Sequence, residues 1–291
     1  MRFWQAVSLT EPDQLLEIAR GAEEAGFHGV LLSDHLFFPE KLASKYPYTA
    51  DGVPGFDAHT PWPEPWTTIA AMAAVTRRLH FATMVYILPL RNPLEVAKAT
   101  GTVAVLSGNR LALGAGAGWM KEEFDALGVD FRTRGKRFDE MIEVLRTLWR
   151  GGMADHHGAF FDFDRIQMSP APTRPIPIYI GGTSGAALRR AARLGDGWIG
   201  PGNDPAEVPG ILERLSTLRR EAGRASQPFE TIVPLAGAFD PDTLRRLEGQ
   251  GMTATIHYPF AYVLGPSSTL DEKRAAMRRF AEEVIAPTNA G

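Results

Sequence analysis

Three short segments of this 291-residue chain carry residue types that can do chemistry. The first is Leu32-Ser33-Asp34-His35, an acid and an imidazole after an apolar run. A histidine can hold or deliver a proton near neutral pH. Asp34 could orient it or hydrogen-bond a cofactor. Successive strand residues face opposite ways, so the two share a face only where the strand has ended. A packed or solvated loop pair fits the same residues. The second segment is Gly181-Gly182-Thr183-Ser184, ahead of a helical pattern carrying Arg189 and Arg190. Free amides at a helix start, with hydroxyls beside them, suit a phosphate. Ordinary Ser/Thr capping uses the same residues, although paired glycines favour close approach by a ligand. Arg189 and Arg190 read as a solvated face. The third segment is Gly114-Ala115-Gly116-Ala117-Gly118 followed by Trp119. Alternating glycines let a flat or phosphorylated ligand approach the backbone. They serve a plain strand-to-helix turn equally well.

Other chemistries find no support. The chain has no cysteine, which excludes disulfides, thiolate nucleophiles and zinc–thiolate sites. His156 and His157 are adjacent, but a catalytic metal needs about three convergent ligands, so no metal site is expected. There is no Gly-x-Ser-x-Gly elbow and no GxxxxGK[ST] loop. Glu122, Glu123, Arg134, Arg137, Asp139 and Glu140 read as helix capping and surface pairing. The net charge of -3 gives no basic field for nucleic acid. The N-terminus lacks a basic segment followed by an apolar stretch, and no run is long enough to span a bilayer. A cytoplasmic protein with no membrane partner is the expectation. The segment HTPWPEPW, with His59, Trp62 and Trp66, suits a lid over a planar substrate or a loop anchored by its tryptophans.

The elements that must position these residues alternate along the chain. Strands are expected at 2–8, 29–33, 79–88, 110–113, 177–180, 196–199, 231–238 and 253–257. Helices are expected at 11–25, 64–76, 93–106, 134–149, 185–194, 205–222, 241–248 and 270–284. Thr10 and Asn92 read as N-caps, Gly26 as a stop, and Pro93 sits in the favoured first turn. The stretch between Trp149 and Pro177 reads as irregular. Hydrophobic residues make up 44% of the chain, enough for one large core. Short strands buried on two faces suit a parallel sheet. Eight such βα units, with no linker between them, predict an α/β fold of the (β/α)8 TIM-barrel type as a single domain over residues 1–291. An open doubly wound sheet is the alternative. In a barrel, ligands sit where strands end. That draws attention to Ser8, 33–35, 84–87, 114–119, 181–184, 200–203, 236–238 and 257–259.

Taken together, four motifs resemble the bacterial luciferase-like monooxygenase family. They are LLSDHL at 31–36, ATMVYILPLRNP at 82–93, GAGAGWMKEEFDALGVDFRTRGKRFDE at 114–140 and IPIYIGGTSGAALRRAARLGDGWIG at 176–200. The wording is nearest the oxidoreductase branch that depends on coenzyme F420, a deazaflavin. The resemblance implies a luciferase-like (β/α)8 barrel with a flavin or deazaflavin at its carboxyl end. It implies that Asp34 and His35 lie by the ring, with His35 as proton donor or substrate polariser. It implies a non-prolyl cis peptide between Met84 and Val85 behind the ring. Gly116, Ala117, Gly118 and Trp119 would line the cofactor's side chain, and Gly181, Gly182, Thr183 and Ser184 would hold its phosphate. Some relatives carry Thr-Gly-Glu where Ala117, Gly118 and Trp119 stand here. The implied activity is hydride transfer between F420 and a small-molecule substrate entering under residues 36–63. The alternatives are an FMN-dependent monooxygenase using oxygen, a non-redox barrel enzyme acting on a phosphorylated substrate, and a flavin-binding protein without catalysis. The non-redox reading would need a Schiff-base lysine or paired carboxylates at strand ends, and neither is visible. Relatives often form homodimers.

Overall fold

The computed structural model describes residues 1–237 and 240–290. Its strands are β1 (Arg2–Ala6), β2 (Gly29–Leu32), β3 (His80–Thr83), β4 (Tyr86–Ile87), β5 (Leu111–Gly116), β6 (Met153–His157), β7 (Asp162–Gln167), β8 (Ile178–Gly181), β9 (Gly197–Ile199), β10 (Glu230–Val233) and β11 (Ala254–His257). Its α-helices are α1 (Leu15–Glu24), α2 (Pro65–Ala74), α3 (Pro93–Leu106), α4 (Lys121–Ala126), α5 (Arg134–Trp149), α6 (Gly185–Leu194), α7 (Val208–Glu221), α8 (Pro241–Gly249), α9 (Phe260–Val263), α10 (Leu270–Phe280) and α11 (Ala286–Asn289). Every pairing in the main sheet is parallel, and β1 pairs with β2 on one side and β11 on the other. β3 and β4 together make the third barrel strand, both pairing with β5. The sheet therefore closes as an eight-stranded barrel inside a ring of helices, the (β/α)8 fold expected.

Alternation along the strands separates two cores. Trp4, Ala6, Leu31, Ala82 and Tyr179 point into the barrel, while Phe3, Val30, Phe81 and Ile178 face the helices. Large and small residues fill the interior in turn. The Trp4 ring lies where a Gly29 side chain would stand, and a methyl on Gly197 would come within 2.6 Å of the Tyr179 ring.

Several boundaries differ from expectation, each for a local reason. The strand expected at 79–88 breaks at the cis peptide Met84–Val85. The expected glycine turn begins later, because Gly114, Ala115 and Gly116 are still strand. Helix α1 starts at Leu15, not Glu11, and Thr10 does not cap it. Pro12 lacks an amide and fixes its own φ, and the chain enters through a 3-10 turn, Pro12–Gln14. Asn92 does cap α3, accepting from the Leu94 amide at 2.9 Å. The stretch expected to be irregular contains the antiparallel hairpin β6–β7. The Glu140 carboxylate accepts from the amides of Ala159, Phe160 and Phe161 at its tip, so this acid is a loop clip rather than a surface pair. The strand expected at 231–238 covers Glu230–Val233; Ala238 lies outside the described residues.

Candidate active site

The tail of β2 supplies three adjacent polar residues that part at once. The Ser33 hydroxyl donates to the Met84 carbonyl at 2.9 Å and lies 2.6 Å from the Ser8 hydroxyl. Asp34 turns the other way and is buried. One of its oxygens accepts from the Ile87 amide at 2.9 Å and the other from Arg91 at 2.8 Å. Burial pushes the Asp34 carboxyl above the usual range, against the pull of the Arg91 guanidinium and the Ile87 amide. Ser33 and Asp34 thus hold the two sides of the Met84–Val85 bulge. Asp34 was expected to orient His35 or bind the cofactor. Its two oxygens instead meet protein donors, because adjacent residues diverge as a strand ends.

The partner of His35 is Glu123, which the sequence suggested was a surface acid. Its side chain is 1% exposed. One carboxylate oxygen lies 3.3 Å from His35 Nδ1 and accepts the Leu36 amide at 2.7 Å. Its neighbour Glu122 accepts from the amides of Ala43 and Ser44 at 2.7 and 3.0 Å. Two consecutive acids on α4 therefore clip the root and the middle of the loop 36–63. This loop covers the histidine with aromatic rings. Phe56 and Trp62 stand 5.0 and 5.1 Å from the His35 ring, and Trp119 stands at 5.8 Å. Tyr46 packs on Trp119 at 5.1 Å, and burial raises its hydroxyl to about 12. The Tyr48 hydroxyl reaches toward Gly182, and Tyr262 touches Gly55. The loop thus spans the mouth from the second unit to the fifth and eighth. Trp62 belongs to this cover, whereas Trp66 is buried in α2 against Tyr86 at 4.8 Å, so the two tryptophans divide between lid and anchor.

Most of the expected cofactor residues form a half-open rim, while Asp34 and Gly116 are buried. Met84 and Val85 are partly open, while residues 81–83 and 86–90 are buried. Ala117, Gly118 and Trp119 are partly open, as are Gly181 and Gly182, with Thr183 and Ser184 exposed. Two of the glycines have a packing reason of their own. A methyl on Gly116 would fall 2.5 Å from one γ-methyl of Val85, and one on Gly181 would fall 2.7 Å from the other. Their bare backbones accommodate Val85. Gly118, at φ +83°, accommodates Ile87 and Phe124, each 2.7 Å from where a side chain there would begin. Gly182, at φ +103°, does require glycine for its backbone.

At the fifth unit the Ser184 hydroxyl accepts from the Ala187 amide at 3.1 Å, capping α6. Its proton remains available to donate. The amides of Gly185 and Ala186 head the helix, where no intrahelical acceptor exists. Arg189 and Arg214 each bring a guanidinium nitrogen to 3.3 Å from where a Gly185 side chain would begin. Arg189 is exposed, as expected, and also lies beside this anion-suited end. Arg190, expected on the same solvated face, is largely covered: it pairs with Asp139 and donates to the Gly135 carbonyl at 3.0 Å. A cavity of about 260 Å³ lined by Thr183, Leu188, Trp198 and Arg214 adjoins the helix end. Arg134 and Arg137 donate to the carbonyls of Gly118 and Pro89 and act as scaffold. No group of three or more His, Asp or Glu residues among the described residues could hold a metal ion. Nor is any helix among them long and apolar enough to cross a membrane.

Sequence reasoning missed Glu123, Arg214 and Phe56. The partner of Glu123 lies 88 residues away along the chain, and no local spacing marks such a pair.

Comparison with known proteins agrees with the barrel fold. Residues 2–283 match the family described as luciferase-like monooxygenase. An uncharacterized protein of Mycobacterium tuberculosis is 43% identical over 98% of this chain and 99% of its own length. An F420-dependent glucose-6-phosphate dehydrogenase of Nakamurella multipartita is 30% identical over 91% of this chain and 75% of its own. Among solved structures, the monooxygenase RslO1 from Streptomyces bottropensis superimposes with a TM-score of 0.76, at 22% identity, over 98% of this chain and 99% of that one.

Proposed function

Because the chain belongs to the luciferase-like monooxygenase family, we propose that it is an oxidoreductase moving a hydride between coenzyme F420 and a small organic substrate at the carboxyl mouth of the barrel. The observation that carries this reading is one juxtaposition. A half-open floor at Met84–Val85 lies at the same barrel end as a histidine held by the buried Glu123. The name of the Nakamurella relative supports the choice of cofactor.

The rim residues fit a flat ring with a phosphorylated tail. Met84 and Val85 would support the ring, with Gly116, Ala117, Gly118 and Trp119 along one side. Asp34 keeps the floor in shape through Ile87 and Arg91. Gly181, Gly182, Thr183 and Ser184 would hold the phosphate, with Arg189 and Arg214 adding charge. A bound deazaflavin supplies hydride chemistry. The chain's own part is to align the substrate, exclude water and handle one proton. Glu123 occupies Nδ1 of His35, which leaves Nε2 to exchange that proton with the substrate. The homodimer implied by the resemblance goes with this reading, and light scattering tests it.

The second reading is an FMN-dependent monooxygenase, in keeping with the family's description. Titration of cofactor-free protein separates the two. The expected result is tight binding of F420 and weaker binding of FMN. Tight FMN binding with no measurable F420 binding would overturn the first reading.

A further inference from the structure

The loop 36–63 is fastened unevenly. Its near part is tied to α4 from both sides. The Ser44 hydroxyl accepts from the Lys121 amide at 2.9 Å, and Glu122 accepts from the amides of Ala43 and Ser44. Residues 46–53 form a turn bonded to itself. The Tyr46 amide donates to the Gly52 carbonyl at 2.8 Å, and the Thr49 hydroxyl donates to the Val53 carbonyl at 2.8 Å. Among the described residues, no hydrogen bond joins this turn to the barrel. Ring packing holds it down instead. Tyr46 stands 5.1 Å from Trp119 and 6.2 Å from Phe56, two of the rings on His35, and Tyr48 stands 5.4 Å from Tyr46. Tyr48 carries this chain of rings across to the fifth unit. Among the described residues outside 181–183, only Ala187 and the Tyr48 hydroxyl come within 4.0 Å of where a Gly182 side chain would begin. That hydroxyl has no hydrogen-bond partner among the described residues. A phenol O–H can donate, and phosphate oxygens are strong acceptors.

We propose that Tyr48 is the residue through which the loop reads the phosphate of the cofactor. Its hydroxyl donates to a phosphate held at Gly182–Ser184, and this bond pins the turn 46–53, which steadies Tyr46, Trp119 and Phe56 over His35. The proposal rests on the reading of Gly181–Ser184 as the phosphate site; it does not depend on hydride transfer. A ligand shifts a loop only through a contact that one position of the loop makes and another does not. The Tyr48 bond is such a contact, because it forms only while the turn lies against the fifth unit. The near part of the loop, tied by Ser44 and Glu122, stays in place in either position. Exclusion of water from His35 is thereby conditional on the phosphate. A ligand with the same rings and no phosphate occupies the mouth and leaves the turn free.

The test is hydrogen exchange over residues 45–63 of the full-length protein, read by mass spectrometry. The protein is saturated in turn with F420, FMN, riboflavin and inorganic phosphate alone. F420 and FMN are expected to slow exchange there roughly fivefold more than riboflavin does, the increment of one added hydrogen bond. Tyr48→Phe keeps the ring and removes the donor. It should bring FMN protection down to the riboflavin level and weaken FMN binding by roughly fivefold, with riboflavin affinity unchanged. Equal protection of the native protein by FMN and riboflavin would overturn the proposal, and that comparison needs no variant to fold. So would an FMN advantage that survives in Tyr48→Phe. If neither F420 nor FMN binds, the reading of function fails, and inorganic phosphate decides the proposal separately. Protection of 45–63 by phosphate that disappears in Tyr48→Phe upholds it, and no protection overturns it.

Discussion

His35 and Glu123 meet across 88 residues of chain, with Nδ1 of the imidazole 3.3 Å from a carboxylate oxygen that is sealed from solvent. Replacing His35 with Asn should lower turnover by about a hundredfold or more, the usual scale of a lost proton donor. Glu123→Gln should cost about tenfold to a hundredfold in kcat, because the ring loses its orienting acceptor. Cofactor affinity should stay within about twofold of native in each variant, since neither side chain is placed against the tail. Steady-state kinetics with a parallel cofactor titration reads out the two effects. A loss confined to cofactor binding would remove this pair from proton transfer.

Asp34 should behave as a positioning residue. Asp34→Asn leaves the Arg91 guanidinium without its buried countercharge, which costs about 3–5 kcal/mol when such pairs are broken. Urea denaturation measures this directly. An unaltered midpoint would mean that the carboxylate does not hold the bulge.

Val85 sets the size of two neighbours. Gly181→Ala should destabilise by about 1–3 kcal/mol, because its methyl meets a γ-methyl of Val85. Val85→Ala should remove most of that penalty in the double variant, so the two changes will not add. Additive losses in thermal denaturation would contradict the contact.

Arg214→Ala should weaken F420 and FMN by roughly fivefold to tenfold, the scale of a lost charge-assisted hydrogen bond to phosphate. Riboflavin, which lacks the phosphate, should be unaffected. Equal losses for riboflavin and FMN would assign the effect to folding rather than to the anion.

Stability should fall in mild acid. Burial, aided by neighbouring His80 and Arg2, holds His28 down to about 3, and burial alone holds His257 to about 4. Their ordinary value is 6.5. Below that pH the unfolded chain takes up protons that the folded chain refuses. The stability these neutral rings contribute is therefore complete above 6.5 and declines as pH falls toward 3–4. At pH 5 the loss is about 2 kcal/mol for each of the two histidines. Urea midpoints at pH 7.5 and pH 5 measure it, and His28→Phe should remove about half. A midpoint that does not move with pH would show that these rings titrate in the folded protein.

The repeating βα pattern was legible in the chain because each short apolar strand and each amphipathic helix carries its own local signal. Helices α3, α5 and α6 begin and end as their caps and periodicity indicate. The hairpin β6–β7 was not legible, since its strands are mostly exposed and lack a continuous apolar face. The rim residues were recognisable as a set through their motifs. What each does was harder to read. Gly116 and Gly181 look alike in sequence whether a ligand or Val85 fills the space above them. Glu123 looks like any first-turn acid until the fold brings α4 beside the end of β2.

The Val85 contact has a consequence for descent. One side chain on the third barrel strand occupies the space that side chains at 116 and 181 would need on the fourth and fifth. The three positions are thus locked to one another as an inherited unit. Enlarging either glycine is least costly once residue 85 has shrunk, and valine at 85 favours keeping both glycines.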